Sequence, residues 1–213
     1  MKTRLAFRIF ALVAILALLL AAAPAPHART LSRSGAPVPR VAMRAHAAPT
    51  YTLINDGGFE FGPPPRSAWK VVSNQRGCPP SSWILDPWPV WGVGAYEGTY
   101  AFWGGGYCSN PNSDAGRQLN IPVPVSGNTL FFYANYYRPD ADDADLDTFT
   151  VKVNGSVVFT KNLVQANDTY PNWTLESINL SAYAGQNVSI ILMGRSRGDL
   201  TGNVLVDAIG FGN

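Results

Sequence analysis

Residues 147 to 163 constrain the fold more than any other stretch. Phe149, Val151 and Val153 alternate with Thr148, Thr150 and Lys152. A period of two places the apolar side chains on one face of a strand and the polar ones on the other. Asn154-Gly155 follows at once, and Ser156 to Leu163 reads as the returning strand. Asn-Gly between two such runs is the strongest short-range sign of a two-residue hairpin, because both central residues must take positive φ.

The same pattern recurs along the chain. Candidate strands are Tyr51–Asn55, Ala68–Ser73, Trp91–Ala95, Tyr100–Gly104, Arg117–Val123, Thr129–Arg138, Thr148–Val153, Ser156–Leu163, Trp173–Asn179, Val188–Arg195 and Asn203–Phe211. Pro and Gly punctuate them, and no amphipathic helical period runs beyond about two turns. Ser181 to Gly185 reads as a short turn before the next strand. No internal repeat is visible. The reading is an all-β sandwich of two stacked antiparallel sheets. Its most apolar strand, Leu130 to Tyr137, carries aromatics on both faces. Either Phe131 and Tyr133 or Phe132, Ala134 and Tyr136 face the core, and the outer face must be sheltered or bind something.

The folded part begins near residue 51. Residues 1–28 read as a secretory signal: Lys2, Arg4 and Arg8 precede an apolar run from Ile9 to Leu20, and small residues around Ala25 and Ala28 offer cleavage sites. The run is short for a membrane span, though an uncleaved anchor is the rival reading. No other run approaches membrane length, so the mature chain has no predicted span. Residues 29–50 carry four arginines, three prolines and no acid, and read as a basic disordered linker or pro-segment. The third segment, 51–213, is the domain.

This division changes the meaning of the charge. Seven of the 16 Lys and Arg precede residue 50, and none of the 14 acids does, so the domain is formally −5. The overall basic balance belongs to the leader and linker and gives no reason to expect nucleic acid. Both histidines, His27 and His46, also precede the domain. That excludes a Ser-His-Asp triad, a Cys-His pair and any imidazole metal site from it. A metal there must be a hard cation on oxygen ligands. The two cysteines, Cys78 and Cys108, both lie in the domain. An even count behind a signal peptide points to one disulfide, with two free thiols as the alternative. Closing that loop stabilises by roughly 3–4 kcal/mol in the chain-entropy model.

At the start of the domain, Leu53 to Gly62 reads as a short strand, an Asn-Asp-Gly-Gly turn, and Phe59-Glu60-Phe61. A carboxylate between two phenylalanines is costly to bury unless something neutralises it. At the far end, the run Val204 to Ile209 carries a single acid, Asp207. If the first and last strands lie side by side, Glu60 and Asp207 converge, and converging carboxylates share a proton or hold a cation. Hydrogen bonds to backbone N–H groups, or a pairing with Arg117, are the alternative.

The order of motifs carries a resemblance. It runs from Asn55-x-Gly57-Gly58-Phe59-Glu60-x-Gly62 through Trp69 to Glu97-Gly98-x-Tyr100-Ala101. The aromatic strand follows, then Asp147 to Gly155, Trp173, Leu180 to Val188 and Val206-Asp207-x-Ile209. This resembles the galactose-binding-like jelly rolls, among them carbohydrate-binding modules of families 4, 9 and 22, over about residues 51 to 213. The resemblance implies a jelly-roll β-sandwich and a structural calcium near the first and last strands. Glu60, Gly98 and Asp207 stand at the matching metal positions. Trp69 and Trp173 match packing residues, and the acidic run Asp140, Asp142, Asp143, Asp145 and Asp147 matches an acidic loop. That run lacks the glycine and closing glutamate of an EF-hand, so a solvated loop is favoured over a second ion site.

Four of the six tryptophans, Trp83, Trp88, Trp91 and Trp103, fall between the cysteines in a proline-rich insert. A flat aromatic stacks on the apolar face of a sugar ring and loses little entropy in doing so. Trp91 and Trp103 read as core. Trp83 and Trp88 sit in the irregular part and read as exposed. Candidate ligand contacts are Trp83, Trp88, Tyr107, Tyr136 and Arg138. Together these observations lead to a secreted, monomeric, non-catalytic carbohydrate-binding module of bacterial type. Two alternatives stand beside it. One is an adhesive protein that docks a protein partner. The other is a glycoside hydrolase or lyase using two carboxylates, with Asp86 and Glu97 as one candidate pair.

Overall fold

The computed structural model describes residues 50–74, 83–106, 112–137, 147–198 and 201–213. The leader and linker lie outside them. Eleven strands make two antiparallel sheets. The first sheet runs β3 (Ile84–Leu85), β4 (Ala101–Gly105), β11 (Asn203–Gly212), β6 (Thr129–Tyr137) and β9 (Thr174–Asn179), with β1 (Tyr51–Leu53) also paired to β11. The second runs β2 (Lys70–Ser73), β5 (Asn112–Pro122), β10 (Asn187–Ser196), β7 (Thr148–Val153) and β8 (Ser156–Asn162).

The hairpin forms where the alternation places it. Val153 pairs with Ser156, and Asn154 and Gly155 take φ of 51° and 88°. The Asn154 side chain does a second job there: its Oδ1 accepts from Ser189 N at 2.9 Å, tying the turn to β10. Ser181–Tyr183 is one turn of 3-10 helix, matching the turn read before β10.

The expected strand Trp91–Ala95 does not form. In its place stands a single helical turn, α1 (Trp88–Trp91). Pro87 and Pro89 explain the difference. A ring-locked φ near −65° suits the first helical turn, and the missing N–H groups deny a ladder its donors. Asp86 Oδ1 accepts from Trp88 N, and Gly92, in the left-handed region at φ 69°, ends the turn. The two-residue strand β3 has too short a pattern to be read in advance.

β6 carries the core. Phe132 and Tyr136 face inward, where Phe132 meets Phe149 and Phe159 of the second sheet edge-on at 5.9 and 5.5 Å. Near the chain start Phe59 packs on Trp69 and Phe102 in the same interior. The outer face of β6 is buried as well. Tyr96 stacks on Tyr133 at 3.5 Å, Trp173 packs edge-on against Tyr96, and Trp91 packs edge-on against Tyr137. The first sheet is therefore buried on both sides, and every β11 residue from Asn203 to Phe211 is buried. The second sheet differs. Its outward positions on β2, β5 and β10 alternate in exposure with buried inward ones.

Candidate functional site

The first and last strands are neighbours, as the chain-end reading requires. Tyr51, Thr52 and Leu53 pair with Gly212, Phe211 and Gly210. The turn after β1 is locked onto β11 by Ile54 N to Ile209 O at 3.0 Å and Ile209 N to Gly57 O at 2.9 Å. Asp56 fixes its other side. One carboxylate oxygen accepts from Phe61 N, and the other accepts from Ser67 Oγ and Ala68 N. Trp69 Nε1 donates to the Asp56 carbonyl. Asp56 is a buried organising residue that the sequence reading passes over as part of a glycine turn.

Beside this turn three carboxylates converge. Glu60 is exposed, not buried between its phenylalanines, because Phe59 turns into the core and Phe61 turns out. Its Oε1 accepts from Thr99 N at 2.9 Å and Tyr100 N at 2.8 Å. Gly98 makes that possible. It holds φ at 65°, and a Cβ there would stand 2.3 Å from the Glu60 carboxyl carbon. Asp207 is fully buried, and it accepts from Glu97 N and Ala208 N. Both carboxylates thus take backbone donors, the alternative to a cation, while Arg117 lies on the outer face of the other sheet.

Gly58 marks where the acids meet. From the position a Cβ on it would take, Glu97 Oε1 is 3.3 Å away, Glu60 Cγ 3.8 Å and Asp207 Oδ1 3.9 Å. Burial pushes the Asp207 carboxyl up to about 8, and the charges of Glu97 and Glu60 push the same way, against its two N–H donors. Among the described residues no Lys or Arg pairs with any of the three, and the ion pair seen there is Lys161 with Glu176. Nor do three acidic side chains stand close enough to share one ion directly. The side-chain donors here are all oxygen, the kind a hard cation takes, at a spacing wider than a closed cage. Glu60 and Glu97 are both exposed, and Glu60 is held by its two backbone donors.

The aromatic candidates separate sharply. Trp83 is buried, correcting the expectation of exposure: it lies on Trp103 at 5.1 Å and forms part of the cover on the first sheet. Tyr136 is 1% exposed and faces the interior, so no ligand reaches its ring. Its hydroxyl donates to Glu176 Oε1 at 3.1 Å, and Lys161 sits 5.1 Å over the ring. Burial and Glu176 together hold that hydroxyl far above the usual phenol range. Trp88 stays outside, 49% exposed. Its helical turn is braced by the two prolines, by Asp86, and by Tyr170, whose hydroxyl donates to Trp91 O at 2.8 Å. Tyr107, Arg138, Cys78 and Cys108 lie outside the described residues, as do Asp140 to Asp145. Asp147 is buried and accepts from Arg197 N.

A groove of about 610 Å³ opens where β1 and the end of β5 approach. Thr52, Asn55, Asn120, Ser126 and Asn213 line it with hydroxyls and amides. Buried Gln118 also lines it. The Gln118 Nε2 donates to Asn55 O, and its Oε1 has no partner.

Neither a known family model nor a curated protein matches the chain. Among solved structures, the carbohydrate-binding module TmCBM61 in complex with β-1,4-galactotriose superposes with a TM-score of 0.51 at 16% identity. The match covers 77% of this chain and 100% of that one. The chain shares that module's fold, a β-sandwich of two antiparallel sheets. Similarity also extends to the cleaved K3 adhesin domain of Lys-gingipain from Porphyromonas gingivalis, at a TM-score of 0.47 and 14% identity over 75% of this chain and 97% of that one. The C-terminal family 6 carbohydrate-binding module of LamC, a laminarinase from Zobellia galactanivorans, gives a TM-score of 0.38 at 17% identity over 68% of this chain and 100% of that one. The first of these likenesses shows the fold and leaves the ligand to the residues. No described helix is long and apolar enough to cross a membrane.

Proposed function

We propose that this chain is a secreted, non-catalytic carbohydrate-binding module. One observation carries the reading: Trp88 is an exposed indole held rigid on a proline-braced turn. Most of the aromatic side chains around it are committed to packing, and an exposed large apolar side chain on a stiff support marks a recognition surface. Its neighbours suit hydroxyls, with the exposed Asp86 carboxylate next to it in the chain and the Tyr170 hydroxyl on the bracing loop. A protein of the same fold holds β-1,4-galactotriose, which supports a glycan as the ligand class. The described carboxylates other than Glu97 accept hydrogen bonds, most of them from backbone N–H groups, and the domain has no histidine to serve as acid or base.

The same reading places a structural calcium beside Gly58. Glu60, Glu97 and Asp207 would hold it together with carbonyls of the surrounding loops, and the ion would neutralise the buried charge of Asp207. Its role is to clamp the first turn to the last strand. A second reading puts the glycan in the groove at Gln118, favoured by that unpartnered buried carbonyl oxygen.

A glycan array, run with calcium and with a chelator, tests the proposal on wild type, Trp88→Ala and Gln118→Ala. Binding to at least one glycan, lost in Trp88→Ala, is the expected result. Loss in Gln118→Ala alone moves the site to the groove. Silence on every glycan in both conditions rejects the carbohydrate reading.

A further inference from the structure

The open face of the second sheet carries a charge pattern that the aromatic site does not use. Register places Lys70 beside Arg117, Arg117 beside Ile191, and Ile191 beside Lys152, in one row across four strands. Arg195 lies further along β10, opposite Ser113 and Thr148. All four cations point outward, because Trp69, Gly116, Val151 and Gly194 beside them in sequence are buried. None has an ion-pair partner among the described residues. The five strands carry a single acid, Asp114, which is buried and bonds inward to Gly105 N and Ser73 Oγ. Four of the nine basic residues of a domain that is formally −5 thus share one face.

That arrangement has a cost. Like charges directly opposite on neighbouring strands destabilise a sheet, and Lys70 and Arg117 are such a pair. Between the charges the face is flat and lightly apolar, with Ala115, Ile191 and Met193 at its centre. Thr150 sits among them, and its buried Oγ1 has no partner. Among the described residues no aromatic ring lies on this face.

We infer that this face binds an anionic polysaccharide, one bearing carboxylates or sulfates along its length. Two strand spacings separate Arg117 from Lys152, roughly 10 Å, which suits charge carried on separate sugar rings. Ala115, Ile191 and Met193 offer the shallow apolar strip that the C–H face of a sugar needs. Nucleic acid fits worse. Single strands are held on aromatic platforms, and duplex grooves are read by protruding helices or ribbons, neither of which this face has. A membrane surface fits worse too: the exposed apolar side chains of this face, Val72, Leu119 and Val157, stand on three separate strands, with no aromatic among the described residues to insert. The choice of a glycan rests on the carbohydrate reading above, but the surface is separate from Trp88.

Affinity electrophoresis of the full chain tests the inference. The gels carry polygalacturonate, heparin, neutral β-1,4-galactan or duplex DNA, and vesicles containing phosphatidylserine are assayed by co-sedimentation. Retardation by polygalacturonate or heparin is expected, about tenfold weaker in Lys70→Gln/Arg117→Gln/Lys152→Gln and weakened as salt screens the charges over a distance of about 10 Å or less. Trp88→Ala should keep this binding. The triple variant should unfold at or above the wild-type temperature, since it loses a repulsion, and Arg195→Gln alone serves as an independent check. The inference is overturned if neither anionic glycan retards the chain, if the triple variant binds as wild type does, or if DNA or the vesicles bind more tightly. Neutral binding lost in Trp88→Ala, with no anionic binding, leaves the carbohydrate reading standing and sinks this one. Anionic binding that survives in Trp88→Ala supports it even when neutral glycans are silent.

Discussion

Asp207 is a carboxyl group held in a place that disfavours its charge. In metal-free protein its folded value of about 8 lies above its unfolded value, so the folded state binds the extra proton. Stability should then fall as pH rises from about 4 to about 8. At the proposed site a calcium ion would remove the penalty by neutralising the ionised form. Urea unfolding at pH 5 and pH 8.5 should show a drop in midpoint with chelator and a much smaller one with calcium. Gly98→Ala tests the same seam from its other side. The added methyl takes the space of the Glu60 carboxylate and strains a positive-φ residue, at a cost of about 1–3 kcal/mol. Calcium stabilisation should shrink in that variant. Asp56→Ala strips acceptors from Phe61 N, Ser67 Oγ and Ala68 N, and about 3 kcal/mol should be lost in the same assay. The meeting of Glu60 with Asp207 was legible because chain ends pair in sandwiches and each end holds a lone acid among apolar residues. Asp56 was not, since Asn-Asp-Gly-Gly states a turn without stating where the Asp side chain reaches. The exposure of Glu60 was equally hidden: Phe59 and Phe61 look alike in sequence, and only the left-handed φ of 59° at Phe59 sends them opposite ways.

At the scale of elements, alternation and turn chemistry were reliable where one face is wet. β7 and β8 follow from their period and from Asn154-Gly155. Gly155 has open space around it but sits at φ 88°. Gly155→Ala should therefore cost about 1 kcal/mol through backbone strain alone, read as a small drop in melting temperature. β6 resisted the same reasoning because both its faces are buried, so period two cannot say which looks inward. The insert resisted it for another reason. Composition shows that a segment is rich in tryptophan, but whether a ring is displayed or packed depends on the surface it folds over, here the outer face of β4, β11 and β6. Two substitutions separate these fates. Trp83→Ala should cost about 3–5 kcal/mol as a buried aromatic. Trp88→Ala should change stability by about 0.5 kcal/mol or less, as a surface change does.

For the whole molecule, the fold divides labour between its sheets. The first is wrapped on both sides and anchors the carboxylate seam at the pairing of β1 with β11. The second leaves one face open, and that face collects cations in a domain that is otherwise acidic. Trp88 stands apart from both, on a turn that packing and prolines hold still. A shell built this way can present surfaces to large ligands, and the function proposed for it is binding at Trp88. The most direct test of that claim is affinity electrophoresis of wild type and Trp88→Ala through gels of neutral galactan, xylan and β-glucan. Retarded migration of the wild type in at least one gel, with free migration of Trp88→Ala at an unchanged melting temperature, is the predicted result. Identical migration of the two proteins in every gel would contradict it.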